Sequence, residues 1–215
     1  MLCITKFFVM KRNLQEELTH IRIMMERSTR FLSLSGWAGI MAGIYASIGA
    51  YYARKLIYNS ASIEIYFDIK DGSMSKGLLY LLAIATGVFL LSMATALYTC
   101  SRTAKKSGEK LFTPAALKML YNMAIPFITG GVLSIILILK GLMGLVAPIT
   151  LIFYGLSLVI ASHYTYRNIK VLGILEVALG LLAACYQGYG LFFWTLGFGV
   201  LHILYGTLMY LKYKQ

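Results

Sequence analysis

Charge is what this chain has least of, and acid above all. Of 215 residues, eight are Asp or Glu against twenty Lys or Arg, and only 13% are charged. A soluble domain keeps about 25% charged residues to face water, so a water-exposed surface of ordinary size is excluded. Three prolines exclude a proline-rich linker. Three cysteines, Cys3, Cys100 and Cys185, have neither metal-ligand spacing nor the density of a disulfide scaffold. Cys185 falls within an apolar run, where a small buried filler is expected. Motifs of hydrolytic and phosphate chemistry are missing too. No HExxH, phosphate loop, GxSxG or paired carboxylate is present. No enzyme, metal or cofactor is therefore expected.

What remains is oil. Hydrophobic residues make up 59% of the chain and the mean hydropathy is +0.74. A crossing helix needs about 20 mostly apolar residues, and six stretches qualify: 31–52, 77–98, 119–139, 142–162, 171–188 and 191–211. Five contain no Asp, Glu, Lys or Arg, and the fifth in order contains only Glu176. The net charge of +12 is spread between these runs rather than gathered in one patch. Anionic lipid head groups, not nucleic acid, are its expected partner.

The connections give an orientation. With the N-terminus inside, inner segments carry 15 Lys or Arg and outer segments 5. That bias predicts both termini in the cytoplasm and an even number of spans. Tyrosine and tryptophan cluster near the ends of the runs, as in aromatic belts: Tyr51, Tyr52 and Trp194 outside, Trp37, Tyr98 and Tyr210 inside. The turns "KGLMG" and "QGYG" are tight and force antiparallel neighbours. The expected fold is an all-α membrane protein, a six-transmembrane-helix bundle of three consecutive antiparallel hairpins, N-in and C-in. Residues 1–30 form a cytoplasmic segment, and residues 31–215 the membrane domain. The outer loop runs over 53–76 and the basic inner loop over 99–118.

Two loop segments carry patterns of their own. Leu14, Leu18, Ile21 and Met25 recur at helical spacing, which predicts an amphipathic N-terminal helix. It either lies on the inner membrane surface or meets a cytoplasmic partner or its own copy. Met1 and Met10 both stand as candidate starts. In the outer loop, Ile63, Ile65, Phe67 and Ile69 alternate with polar residues before Asp71-Gly72. This is a strand pattern ending in a turn signal, on a loop that hugs the membrane or pairs with another copy.

One acid inside a span asks for a partner. Glu176 lies twelve residues before Gly188, and His202 lies eleven after Leu191. At 1.5 Å per residue, both sit roughly 16–18 Å below the same tight turn. Glu176, Gly180, Ala183 and Gln187 form a stripe of small and polar residues on one helix. Thr195, Gly199, His202 and Gly206 form another on the next. The expected site is a Glu176–His202 pair that holds or relays a proton, with Asn122 and Tyr154 as alternative partners. The competing role is structural: a protonated Glu176 as a hydrogen-bond donor between helices. The first run adds Ala38, Ala42, Ala46 and Ala50 at steps of four, with Gly39, Gly43 and Ser47 on the adjoining edge. This predicts close helix contact within the chain or between two copies of a homo-oligomer. Pro126 is expected to kink the third run. His20 and His163 belong at solvated inner ends.

The runs "RFLSLSGWAGIMAGIYASIGAYYA" and "GYGLFFWTLGFGVLHILYGTLMYLKYK" resemble a group of small bacterial integral membrane proteins with six transmembrane helices and no assigned activity. The resemblance covers most of the chain after Met10, implies a bacterial inner membrane and adds no site. Three classes of function stay open. They are a regulatory, sensor or accessory component acting through the basic cytoplasmic face, a small transporter or channel using Glu176 and His202, and, last, an intramembrane enzyme. A water-lined route to Glu176 favours transport, and a closed core favours regulation.

Overall fold

The computed structural model describes residues 36–59, 76–106, 112–165, 168–186 and 188–212, and all regular structure among them is helical. The helices are α1 (Gly36–Asn59), α2 (Lys76–Lys106), α3 (Pro114–Leu139), α4 (Val146–Ala161), α5 (Asn168–Cys185), α6 (Gly190–Trp194) and α7 (His202–Lys212). A 3-10 turn at Met143–Leu145 precedes α4, and a π-helical stretch, Thr195–Leu201, joins α6 to α7 without a break. The amphipathic pattern at 14–25, the alternating pattern at 63–70 and Gln187 lie outside the described residues.

Five helices are long and apolar enough to cross a membrane: Gly77–Lys106, Pro114–Leu139, Met143–Ala161, Asn168–Cys185 and Gly190–Lys212. This is a multi-pass membrane protein by length and composition. Helix α1 falls outside that set. Its glycines, Trp37 and its tyrosines, with Arg54 and Lys55 at the far end, lower its hydropathy. Several helices outrun the apolar stretches. α1 continues through Asn59, seven residues past the expected end at 52, so the outer loop is shorter than 53–76. α2 continues to Lys106 and α3 begins at Pro114, which shortens the inner loop 99–118 from both sides. Hydropathy marks only the part that needs oil, whereas backbone hydrogen bonding carries a helix on into the polar boundary.

The termini follow local chemistry. Thr113 caps α3, its hydroxyl accepting from the Ala116 amide at 3.2 Å, with Pro114 at the first helical position, where no amide is needed. The far end of α3 closes on Gly141, whose φ of +73° admits no ordinary side chain cheaply. There the Leu142 amide donates to Leu137 O at 2.9 Å and the Gly141 amide to Ile138 O at 3.0 Å. This paired pattern stops a helix and reverses the chain. Gly188, with φ +98°, sits in the turn between α5 and α6. Pro126 lies inside α3, which runs on through it from Pro114 to Leu139. A π-helical stretch lies in the last span, which contains no proline.

Packing is by small residues. α4 packs chiefly on α5 and α3, and α1 on α2 and the π–α7 segment. α6 meets both α4 and α5. A Cβ on Gly155 would lie 2.6 Å from Gly173 O, and one on Gly173 would lie 2.6 Å from Gly155 O. The α4 and α5 backbones therefore touch. α1 meets the last span in the same way: a Cβ on Gly43 would lie 2.6 Å from Gly199 O, and one on Gly206 would lie 2.5 Å from the Ile40 amide. Of the two contacts open to the Gly39–Gly43–Ser47 edge, the structure shows the one within the chain. Tyr45 Oη lies 3.3 Å from Thr95 Oγ1 between α1 and α2, and Phe89 stacks on Phe127 at 5.7 Å between α2 and α3.

Candidate functional site

The face of α5 that carries Glu176 is set by its glycines. Gly173, Glu176, Gly180 and Ala183 recur at steps of three, four and three, and all four are buried. Gly173 packs on Gly155, while Gly180 packs on Ile152 and the Pro148 carbonyl. The close approach of α4 and α5 leaves the longer Glu176 side chain in the core, where it is 0% exposed. Neither of its carboxyl oxygens has a hydrogen-bond partner among the described residues.

His202 reaches the same place from the last span and is 6% exposed. Its Nδ1 lies 3.4 Å from Glu176 Oε1 and 3.1 Å from Gly197 O. Its Nε2 lies 2.8 Å from the Tyr154 hydroxyl of α4. Phe198 closes the cluster, 4.9 Å from Tyr154 and 5.9 Å from His202 between ring centroids, with Trp194 a further 4.9 Å from Phe198. Leu151 of α4, 0% exposed, lies against Gly197 beside the carboxylate. α5, α4 and the last span thus each contribute one polar group: Glu176, Tyr154 and His202.

The last span reaches this place through its π stretch. An α-helix would keep Gly199, His202 and Gly206 on one stripe facing α5, as their spacing predicts. The structure differs: Gly199 and Gly206 lie against α1, and His202 points to Glu176 and Tyr154. A π turn takes in one extra residue, which rotates the helix beyond it relative to the helix before it. One helix serves two neighbours: Gly199, Gly206 and the His202 carbonyl face α1, while the His202 imidazole faces α4 and α5. Gly197, inside the π stretch, is the residue that spacing alone misses. A Cβ there would collide with Glu176 Oε2 and lie 2.6 Å from Leu151 Cδ2. Its bare Cα makes room for the carboxylate, and its carbonyl meets the imidazole.

The other expected residues have other places. Thr195 Oγ1 donates to Leu191 O at 2.7 Å within its own span. Asn122 Nδ2 donates to the Tyr164 hydroxyl at 2.6 Å, beside the Ala116–Met119–Ala161 cluster and away from the acid. Gly39 packs 3.2 Å from the Gly206 Cα, measured from an added Cβ, and the Ser47 hydroxyl lies against Gly199. Ala38 and Ala46 are buried and Ala42 partly so. His163 is exposed, as an end residue should be. Cys185 is exposed rather than a buried filler, standing as the last residue of α5.

The chemistry open to the cluster is set by burial. A lone charge in this core is costly. A carboxylate with an imidazolium, or a carboxylic acid with a neutral imidazole, leaves the pair net neutral with one proton between them. Adding or removing a proton leaves an uncompensated charge in a closed space, the one perturbation the surrounding packing is least able to absorb. No group of three or more His, Cys, Asp or Glu able to hold a metal occurs among the described residues. No protein-family model, curated protein or solved structure matches this chain.

Proposed function

We propose that the protein is a proton-responsive regulatory or accessory component of the bacterial inner membrane, with six spans and both termini in the cytoplasm. α1 supplies the first span, and the 15 to 5 distribution of Lys and Arg supplies the orientation. The observation that carries the function is the enclosure of Glu176: 0% exposed, neither oxygen hydrogen-bonded among the described residues, and 3.4 Å from His202. Enclosure favours a switch over a conduit. A change of charge at His202 acts on the same segment whose Gly199 and Gly206 touch α1, and α1 leads to the basic N-terminal region. The partner that reads this change is a cytoplasmic protein or the anionic head groups beside the basic inner face.

A second reading, a small transporter, draws on the π stretch. Irregular backbone at the depth of an embedded acid is a feature of transport sites. The two readings differ in water access, which hydrogen exchange at the α5 amides measures: fast exchange around Glu176 favours transport.

The chain carries its own reporter. Trp194 contacts Phe198, which stacks on His202. In lipid vesicles, a Trp37→Phe variant should show a pH-dependent step in Trp194 emission. Glu176→Gln and His202→Phe should each abolish that step. A flat profile in the otherwise unaltered chain contradicts the proposal.

A further inference from the structure

Deepening that reading, and resting on it, we propose that His202 gains and loses its proton at Nε2 only, through the hydroxyl of Tyr154, which acts as the proton-transferring residue of the site. The Gly197 carbonyl can only accept a hydrogen bond. Its oxygen lies 3.1 Å from Nδ1, so Nδ1 carries a hydrogen in the neutral ring, a tautomer assigned from the partners. Glu176 Oε1, 3.4 Å away on the same side, favours that hydrogen as well. Nδ1 is therefore occupied in both charge states, and the vacant nitrogen is Nε2.

Among the described residues, Nε2 has one hydrogen-bond partner. The Tyr154 oxygen lies 2.8 Å from it and donates to it while the ring is neutral. Exposure falls along the same line: Tyr154 is partly exposed, His202 6% exposed and Glu176 0%. Tyr154 is thus the member of the three with surface left outside the cluster. Among the described residues, the titratable groups that face the imidazole are Glu176 from α5 and Tyr154 from α4. Tyr205 of α7 lies near enough to Tyr154 to act on it electrostatically. The α1 residues against this segment, Gly39, Gly43 and Ser47, do not titrate.

The step balances simply. A hydronium ion gives its proton to the Tyr154 oxygen while the hydrogen of the Tyr154 O–H passes to Nε2. At Tyr154 one O–H bond forms and one breaks, an N–H bond forms on His202, and water is left behind. The products are an intact phenol and an imidazolium whose Nδ1–H still faces the Gly197 carbonyl and the Glu176 carboxylate. Release runs the same path backward. Glu176 is the counter-charge and exchanges nothing with water directly.

Stopped-flow pH jumps on the Trp37→Phe chain in vesicles test the route, with Trp194 emission as the readout. Tyr154→Phe should keep an equilibrium titration of Trp194 but slow its approach at least about tenfold, the lower range for losing a positioned proton carrier. Tyr154→His, which restores a carrier, should recover part of the rate. An unchanged rate in Tyr154→Phe overturns the route while leaving the proton-responsive pair standing. No titration in the Trp37→Phe parent chain overturns the pair itself. Nitrogen-labelled histidine in the unaltered chain gives an independent check by solid-state resonance above the titration. The His202 signal, assigned by its loss in His202→Phe, should be that of the Nδ1–H tautomer. An Nε2–H tautomer overturns the proposal, whether or not the Tyr154 variants fold.

Discussion

A carboxyl group with no exposed surface and no hydrogen bond among the described residues needs space as much as it needs a partner, and Gly197 provides the space. The atoms that an added methyl would meet there are the ends of two side chains, Glu176 Oε2 and Leu151 Cδ2. Both can turn by a bond rotation, so the backbone need not move. Gly197→Ala should therefore cost only about 1 kcal/mol of stability, the low end for overpacking a core, while displacing the carboxylate from His202. The expected signature is a nearly normal melting temperature in detergent with a lost or displaced Trp194 titration. Strong destabilisation with an unmoved titration contradicts it. At this scale Glu176 and His202 were legible in the sequence, because residue counts from a shared tight turn convert into depth. Tyr154 was legible only as one alternative among several. Gly197 was not, since its part depends on a π turn that no local pattern announces.

Elements place demands of a different kind. Where α4 meets α5, and where α1 meets the last span, an added methyl would meet backbone rather than side-chain ends: Gly173 O above Gly155, and Gly199 O above Gly43. Backbone cannot rotate out of the way, so whole helices must part. Gly155→Ala and Gly43→Ala should each cost about 2–3 kcal/mol, the upper part of the overpacking range. Both should lower the detergent melting temperature well below that of Gly197→Ala. Equal melting temperatures for the three variants contradict this ranking. The small-residue spacing of the first run made its packing edge readable from sequence. It could not say which helix the edge meets, because an all-small surface fits any close neighbour. Pro126 names itself in the sequence, and α3 runs on through it because a membrane helix can absorb a missing amide and continue. A π turn leaves no signature residue.

At the scale of the molecule, lipid in place of water explains most of what the chain does. Scarce charge, long apolar helices, turns closed on Gly141 and Gly188 and helices joined through glycine all result from a solvent that satisfies no backbone group. Among the five helices long and apolar enough to cross, the one bearing Glu176 has the largest buried share and α2 the smallest. The acid thus rides on the most enclosed element, and the helices around it present their apolar sides outward. The class of protein and the positions of its apolar runs could be read from composition. The order of packing could not, since short turns fix which helices are antiparallel but not which surfaces are largest. The central claim is that Glu176 and His202 act as one unit within that core. A double-mutant cycle measures it most directly: Glu176→Gln, His202→Phe and the two together, each compared by reversible unfolding in detergent. We expect the two substitutions to be coupled by at least about 1 kcal/mol, as for residues sharing one interaction. Additivity to within about 0.3–0.5 kcal/mol, the behaviour of independent sites, would contradict the account.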